Sequence, residues 1–381
     1  MGGIMRKILV VNAGSSSVKF AVFEGLREIA SGAVAEVGGD ARLKFAGLTH
    51  AIAAPDHASA VVICLAALTT AGHDPQTFAA CAHRVVHGGT AFLAPCRITD
   101  AVLAGIKACI PLAPLHNPAN LAAITALQTL VPSLPQYASF DTAFHATQPL
   151  VAARYAIPAQ AEALGIRRYG FHGISYAGLT QAMAAMGPLP KRLLALHLGN
   201  GASLCAILNG QSVAHTMGYS PLEGLTMGTR SGTIDGNAVL RLAEVYGIEG
   251  AARILNLESG LLALGGASDM RALSQSSTPE AAFARDHFTY WAVRHAGSMI
   301  AAMGGIDALA FTGGIGENDA GIRGGIMAGL GFTGLVADSA ANTVGAEKLH
   351  DINSLVQAWV VPAREEARIA REAADLMDKE A

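Results

Sequence analysis

No window of this 381-residue chain holds about 18 uninterrupted strongly apolar residues, so no membrane-spanning helix is expected. The apolar runs are short and bounded by Gly, Pro or charge, as buried strands and helices are. Cysteine is scarce. Cys64, Cys81, Cys96, Cys109 and Cys205 are scattered, odd in number and never spaced CxxC, which speaks for reduced thiols in a cytoplasmic protein and against a disulfide framework or a zinc site. Charge is sparse too, 14% of residues, with 26 basic side chains against 29 acidic ones and no like-charge blocks. That balance gives no electrostatic case for binding nucleic acid or an anionic membrane. The N-terminus, MGGIMRKILVV, enters a strand after two basic residues and lacks the apolar core and cleavage site of a signal peptide. Met5 could be the start, and residues 1–4 are given no structural role.

Several catalytic signatures are also missing. There is no GxxxxGK[ST], so a P-loop enzyme is excluded, and no GxSxG, which disfavours an α/β-hydrolase. No His spacing reads HxH or HExxH, so a transition-metal centre is rejected.

What is present is a pair of similar devices. "ILVVNAGSSSVKF", residues 8–20, runs from an apolar stretch through a knot of Gly and Ser into another apolar stretch. "LLALHLGNGASLCAIL", residues 193–208, does the same around Gly-Asn-Gly-Ala-Ser. Strands are expected at 7–13, 17–23, 27–33 and 79–86, with helices at 57–71, 99–109 and 117–131. A Pro/Ser-rich stretch, VPSLPQ, closes this half, and a new block starts near residue 145. The second half adds helices at 235–256 and 279–303, a strand at 306–311, and "TGGIGEN" opening another helix. A duplicated strand–turn–strand unit suggests two related α/β domains facing across a cleft. Each Gly-rich turn alone reads more readily as a plain β-turn than as a cradle in which main-chain N–H groups bind an anion, and the recurrence in matching contexts favours the cradle.

Chemistry-bearing residues fall in similar punctuated settings. "AHRVVHGG" ends a strand with His83, Arg84 and His87, and "MGTRSGTIDGN" sets Arg230 among glycines. An Arg offers a planar donor fork that suits phosphate or carboxylate oxygens, although a single one is also commonly a surface ion pair. "PLAPLHNPAN" contributes His116, "FDTAFH" Asp141 and "RRYGFHG" His172; any one such His is as readily a structural hydrogen-bonder.

The combination resembles the acetate kinase family, within the larger acetate/sugar kinase, heat-shock chaperone and actin superfamily. The strings VVNAGSSSVKF, AHRVVHGG, PLAPLHNPAN, FDTAFH, RRYGFHG, LHLGNGAS, MGYSPLEGLTMGTRSG, SDMR, FTGGIGEN and PAREEARIA occur in family order from end to end. The resemblance implies two duplicated actin-like (ribonuclease H-like) α/β domains. Residues 1–144 with about 367–381 would form the N-terminal domain, carrying the first phosphate loop and a C-terminal helix. Residues 145–366 would form the nucleotide-binding domain.

It further implies ATP:acetate phosphotransfer yielding acetyl phosphate and ADP, with Mg²⁺ (Mn²⁺ as the alternative) and a homodimer. By position, Arg84 and Arg230 would grip carboxylate and phosphoryl group, His172 would contact the phosphoryl in flight with His116 close by, and Asp141 would be the catalytic carboxylate. Asn12 and Glu365 would attend the metal. Ser15, Ser17 and Lys19 belong to the first phosphate loop. His197, Leu198, Gly199, Asn200 and Gly201 belong to the second. Asp269, Met270 and Arg271 would hold adenosine, together with Gly313, Gly314, Ile315, Gly316 and Asn318. Val86, Leu115, Phe171 and Pro221 would line the acyl site, Val86 sharing a strand face with Arg84 because it follows two positions later.

Three positions depart from the family pattern. HGISY (172–176) stands for HGTSH, SGTIDGN for SGDIDP, and Arg364 for the usual Asn before the paired Glu. The implied chemistry is physically sensible. A carboxylate is already ionised at pH 7, so catalysis must neutralise charge and align atoms rather than remove a proton, and Asp141 is expected to orient metal-bound water and phosphate. The acyl phosphate product needs protection from water. A propionate kinase is the nearest rival and a pyrophosphate-dependent version a distant one, since SDMR and GGIGEN favour a nucleotide. A chaperone-like ATP switch would need a peptide-binding domain for which the chain leaves no room.

Overall fold

The computed structural model describes residues 6–380, so the reading of the start at residues 1–5 lies outside the described residues. The chain divides into two compact units, one running to Phe144 and resuming at Arg364, the other spanning His145–Ala363. Residues 364–366, expected in the second domain, fall with the first, because the helix Glu365–Glu380 begins there and packs on the first unit's strands.

The first unit is built on strands β1 (Lys7–Ala13), β2 (Ser17–Glu24), β3 (Arg27–Ala35), β4 (Arg42–Phe45), β5 (Leu48–Ala51), β6 (Ala80–Val85), β7 (Cys96–Arg97) and β8 (Gln136–Phe140), in the order β5-β4-β3-β2-β1-β6-β8-β7. β1 to β5 are an antiparallel meander, whereas β1, β6 and β8 are parallel. β1 reads as a continuous apolar run, KILVVNA, because both its faces are covered. Leu9 and Val11 pack with Ala60, Cys64 and Leu68 of the helix His57–Thr70 and with Ala123 and Leu127 of the helix Asn117–Leu130. Strand alternation turns Ile8 and Val10 to the opposite face, where the helix Glu365–Glu380 buries Ile369, Ala370 and Ala373. The helix His57–Thr70 starts at a reciprocal cap: Ser59 N–H donates to Asp56 Oδ1 at 2.8 Å, and the Asp56 N–H donates to Ser59 Oγ at 3.1 Å.

The second unit carries β9 (Arg192–Leu198), β10 (Ala202–Leu208), β11 (Gln211–His215), β12 (Ala308–Thr312) and β13 (Gln357–Val360), ordered β11-β10-β9-β12-β13. Its hairpins are antiparallel and β9, β12 and β13 are parallel. This repeats the order and sense of β3-β2-β1-β6-β8 in the first unit. The duplicated actin-like α/β fold is therefore present, and among the described residues no sheet closes into a barrel. The long helix Pro279–Met303, capped by Thr278, covers β9 to β11.

The expected helices and strands are found with ends shifted by a residue or two. Two features differ. The helix Gly236–Leu257 is broken at Gly247, which adopts φ 73°, ψ 168°. The helix Gly173–Met186 was not expected: Tyr176, Leu179 and Met183 recur at helical spacing and are buried, but the Ala/Gly-rich sequence around them gives little contrast between its faces. All five cysteines are thiols, and among the described residues no helix is long and apolar enough to cross a membrane.

Candidate functional site

In the first unit the parallel strands β1, β6 and β8 end side by side, with Val11 opposite His83 and Arg84 opposite Ser139. That register brings Asn12, Arg84 and Asp141 together at the carboxyl ends of the strands, where open α/β sheets place their ligands. Arg84 Nη1 donates to Asn12 Oδ1 at 3.1 Å. Arg84 Nε donates to both Asp141 oxygens at 3.1 Å, and Nη2 donates to Oδ2 at 2.5 Å. Asp141 is 2% exposed and the Arg84 side chain 19%. Burial alone would weaken the guanidinium charge, but Asp141, with smaller contributions from Glu365 and Glu366, outweighs it and raises the Arg84 pKa. Arg84 is permanently charged.

Glu365 opens the helix Glu365–Glu380 and is half-buried. Burial raises its pKa, Arg84 and Lys19 pull it back, and Glu366 pushes it up again. These four charged side chains thus act on one another. Among the described residues no three His, Cys, Asp or Glu converge on a point that could hold a metal. The oxygens of Asn12 and Glu365 are hard donors of the kind Mg²⁺ takes, one or two at a time, with substrate phosphates and water completing its shell. The residues fit that mode and not an all-protein metal cage.

The Ser-rich segment is a tight turn between β1 and β2: Gly14 N–H donates to Ser17 O at 2.8 Å, and His57 Nε2 lies 2.7 Å from Gly14 O. Ser15 and Lys19 are exposed and Ser17 half-buried. Lys19 sits opposite Asn12 in the strand register. The motif PLAPLHNPAN does more than position His116, which stands at the start of the helix Asn117–Leu130. Asn120 accepts from Val86 N–H at 3.0 Å and donates to Ala13 O at 2.7 Å. Asn117 accepts from His87 N–H at 3.2 Å and donates to its carbonyl at 3.1 Å. Both asparagines are buried and pin the ends of β1 and β6. Val86 does not share a strand face with Arg84, because β6 stops at Val85; it is 2% exposed beyond the strand end. Leu115 is exposed.

In the second unit, Gly199, Asn200 and Gly201 turn β9 into β10, with Gly199 N–H donating to Gly201 O at 3.0 Å. His172 precedes the helix Gly173–Met186 in a left-handed conformation, φ 57°, ψ 22°, a strained setting for a non-glycine residue. Its Nδ1 lies 2.8 Å from Ser203 Oγ, and its ring stacks on His197 with centroids 4.1 Å apart. A methyl group on Gly201 would come within 3.3 Å of His172 Nε2 and 3.8 Å of Arg230 Nη1, so these two side chains flank the same glycine. Arg230 Nη1 also donates to Pro221 O at 3.4 Å, while Phe171 is buried with its carbonyl 2.9 Å from His145 Nε2.

A cavity of about 940 Å³ adjoins this loop, lined by Gly199, Asn200, the Asp269–Arg271 segment, Gly314, Ile315 and Asn318. Its size suits a nucleotide. Gly313, at φ 80°, packs on the Leu198 backbone, where a Cβ would meet Leu198 O at 2.8 Å. Gly316 packs under Phe311, and Met270 is buried.

Several supporting residues carry no local sequence signal. Gly228 N–H donates to Asn200 O at 3.0 Å. Glu317 Oε1 accepts from both Gly313 N–H and Ala363 N–H at 2.9 Å. Arg323, 1% exposed, donates to the carbonyls of Gly316 and Glu317 at 3.1 and 2.8 Å. Asn200 and Ala363 are distant in sequence from Gly228 and Glu317, whereas Gly313, Gly316 and Glu317 lie within seven residues of the side chains that bind them but form no recognisable motif with them.

Residues 7–371 match the acetokinase family. The acetate kinase of Streptomyces avermitilis is 43% identical over 390 residues, covering 96% of each chain, and that of Methylocella silvestris 41% over 400 residues, covering 98% of each. Among solved structures, Porphyromonas gingivalis acetate kinase superposes with a TM-score of 0.90 at 36% identity, covering 98% of this chain and 100% of that one. A propionate kinase from Francisella tularensis superposes with a TM-score of 0.92 at 36% identity, covering 97% and 99%. With the motifs in order along both units, the chain belongs to the acetokinase family of phosphotransferases.

Proposed function

We propose that this protein transfers the γ-phosphoryl group of ATP to acetate, reversibly, giving acetyl phosphate and ADP. The observation that carries this reading is the Arg84 guanidinium, held rigid and charged by Asp141 and Asn12 at the ends of three parallel strands and still partly exposed. A fixed donor fork of this kind pairs with a carboxylate and neutralises it. Family membership over 365 residues (7–371) supports the rest.

Arg84 receives the acetate carboxylate, and Arg230 and His172 contact the phosphoryl group. The nucleotide occupies the cavity beside Asp269–Arg271, with phosphate on the amides of the adjoining Gly199–Gly201 turn. Because acetate is already an anion, no general base is required, and Asp141 acts by orienting Arg84. Asn12 and Glu365 would hold Mg²⁺, which when bound neutralises charge on the phosphate oxygens. Acyl-binding roles fall by the family pattern to Val86 and Leu115 in the first unit and to Phe171 and Pro221 in the second.

The protein works in the cytoplasm, and as a homodimer. The exposed Leu240, Val245 and Tyr246, on the helical segment before the break at Gly247, and Ile248 just after it support a partner surface there. Propionate is the second reading, favoured by the Francisella propionate kinase likeness. Trapping acyl phosphate as hydroxamate with ATP, Mg²⁺ and acetate, propionate or butyrate tests the proposal. Acetate should give the fastest product, and no hydroxamate from any of the three would refute it. Light scattering coupled to size exclusion tests the dimer.

A further inference from the structure

Ser203, on β10, is fully buried, with its hydroxyl 2.6 Å from Tyr176 Oη and 2.8 Å from His172 Nδ1. Tyr176, on the helix Gly173–Met186, is also 0% exposed, and Ser203 is the side chain its phenol meets. Two hydroxyl protons are therefore distributed along a row of two oxygens and one ring nitrogen.

The direction of that row is decided by the buried phenol. If Tyr176 donates to Ser203 and Ser203 donates to His172, each proton has an acceptor and Nδ1 is an acceptor. In the reverse direction Nδ1–H donates to Ser203 and Ser203 donates to Tyr176. The phenolic proton is then stranded in the interior, which costs the full desolvation of a buried donor. An imidazolium at His172 fails for the same reason, since its Nδ1 also donates. The backbone N–H of His197 acts on the same phenolic oxygen, and burial keeps the phenol protonated, so its proton is available to Ser203.

We infer that Tyr176 and Ser203 are positioning residues that hold His172 as the neutral Nε2–H tautomer, so that the edge facing Gly201 and Arg230 is a hydrogen-bond donor. This rests on the reading that His172 contacts the transferring phosphoryl group. An N–H at Nε2 strengthens its bond to an oxygen as negative charge builds, whereas a lone pair there would repel it. The left-handed backbone at His172 aims the ring; the Tyr176–Ser203 row sets its proton. Tyr176 stands at the last position of HGISY, where the resembling family reads His, so the phenol belongs to this chain's own version of the site.

The test is ¹⁵N NMR of histidine-labelled, ligand-free full-length protein, with His172 assigned by its loss in His172→Asn. Wild type should show Nε2–H and an unprotonated Nδ1. Tyr176→Phe and Ser203→Ala should each show a tautomer mixture. Their kcat should fall about 10- to 100-fold, the range seen when a partner orienting a site residue is removed. KM for acetate should change little, and thermal melts should report folded protein. An Nδ1–H or imidazolium signal in wild type overturns the inference, as does an unchanged Nε2–H tautomer in both variants. If neither variant folds, the wild-type spectrum decides alone. The spectrum needs no substrate, so a protein without carboxylate kinase activity would refute the proposed function while the tautomer assignment still stood or fell separately.

Discussion

Arg84 and Asp141 meet edge to edge, the guanidinium Nε reaching both carboxylate oxygens at 3.1 Å and Nη2 reaching Oδ2 at 2.5 Å. Asp141 is 2% exposed, so this is a nearly buried pair rather than two groups in a wet opening. Arg84→Ala should therefore cost stability as well as activity, about 3 kcal/mol, because it removes the counter-ion of a buried carboxylate. Arg84→Lys should recover part of the stability and little turnover, since an ammonium cannot reproduce the fork. Urea unfolding and hydroxamate kinetics on both variants check this. Arg230→Ala makes the contrast: kcat should drop about 10²- to 10³-fold with the melting temperature nearly unchanged.

Gly228 leaves no room for a side chain. A Cβ there would lie 1.8 Å from Asn200 Oδ1 and 3.0 Å from Ser268 O. Gly228→Ala should push the Gly199–Gly201 turn out of place, weakening ADP binding about tenfold at a stability cost of about 1–3 kcal/mol. Calorimetric titration with ADP gives the answer. Wild-type affinity in this variant would remove the turn from the nucleotide site.

His83 is enclosed, with Nε2 at 2.7 Å from Gln136 Oε1 and 3.4 Å from Cys81 Sγ. Burial pushes its pKa down to about 4, against a smaller upward pull from Gln136. The native state keeps His83 neutral while the unfolded chain takes up a proton below about pH 6.5. The stability present above pH 6.5 is accordingly lost as pH falls toward 4, about 3 kcal/mol from this group alone. Denaturant unfolding from pH 7 to 4.5 should show it, and His83→Gln should flatten the pH slope by nearly one proton.

Val86, assigned above by proposal to the acyl site, is 2% exposed and tied through its N–H to Asn120. One methylene in such a pocket is worth about 1–3 kcal/mol, so acetate and propionate should differ by roughly 10- to 200-fold at most. Val86→Ala should shift kcat/KM toward propionate and butyrate, mainly through KM. Unmoved ratios across the three acids would take Val86 out of the acyl site.

What the sequence determined by itself was local: the apolar runs of β1 and β9, the glycine-bearing turns after each, and the extents of the helices starting at His57 and Pro279. Those signals lie within a few residues of one another, and their repetition in two halves already implied the duplicated fold. The motif order also marked most candidate site residues. Tertiary structure alone decided how they are used. β6 ends at Val85, so Val86 lies beyond the strand; Arg84 is the partly exposed partner of the buried Asp141; Asn117 and Asn120 pin strand ends; and Tyr176 reaches His172 through Ser203. Each of these joins residues far apart in the chain whose hydrogen-bonding groups must be satisfied once water is excluded, a requirement that exists only after the strands have taken their register.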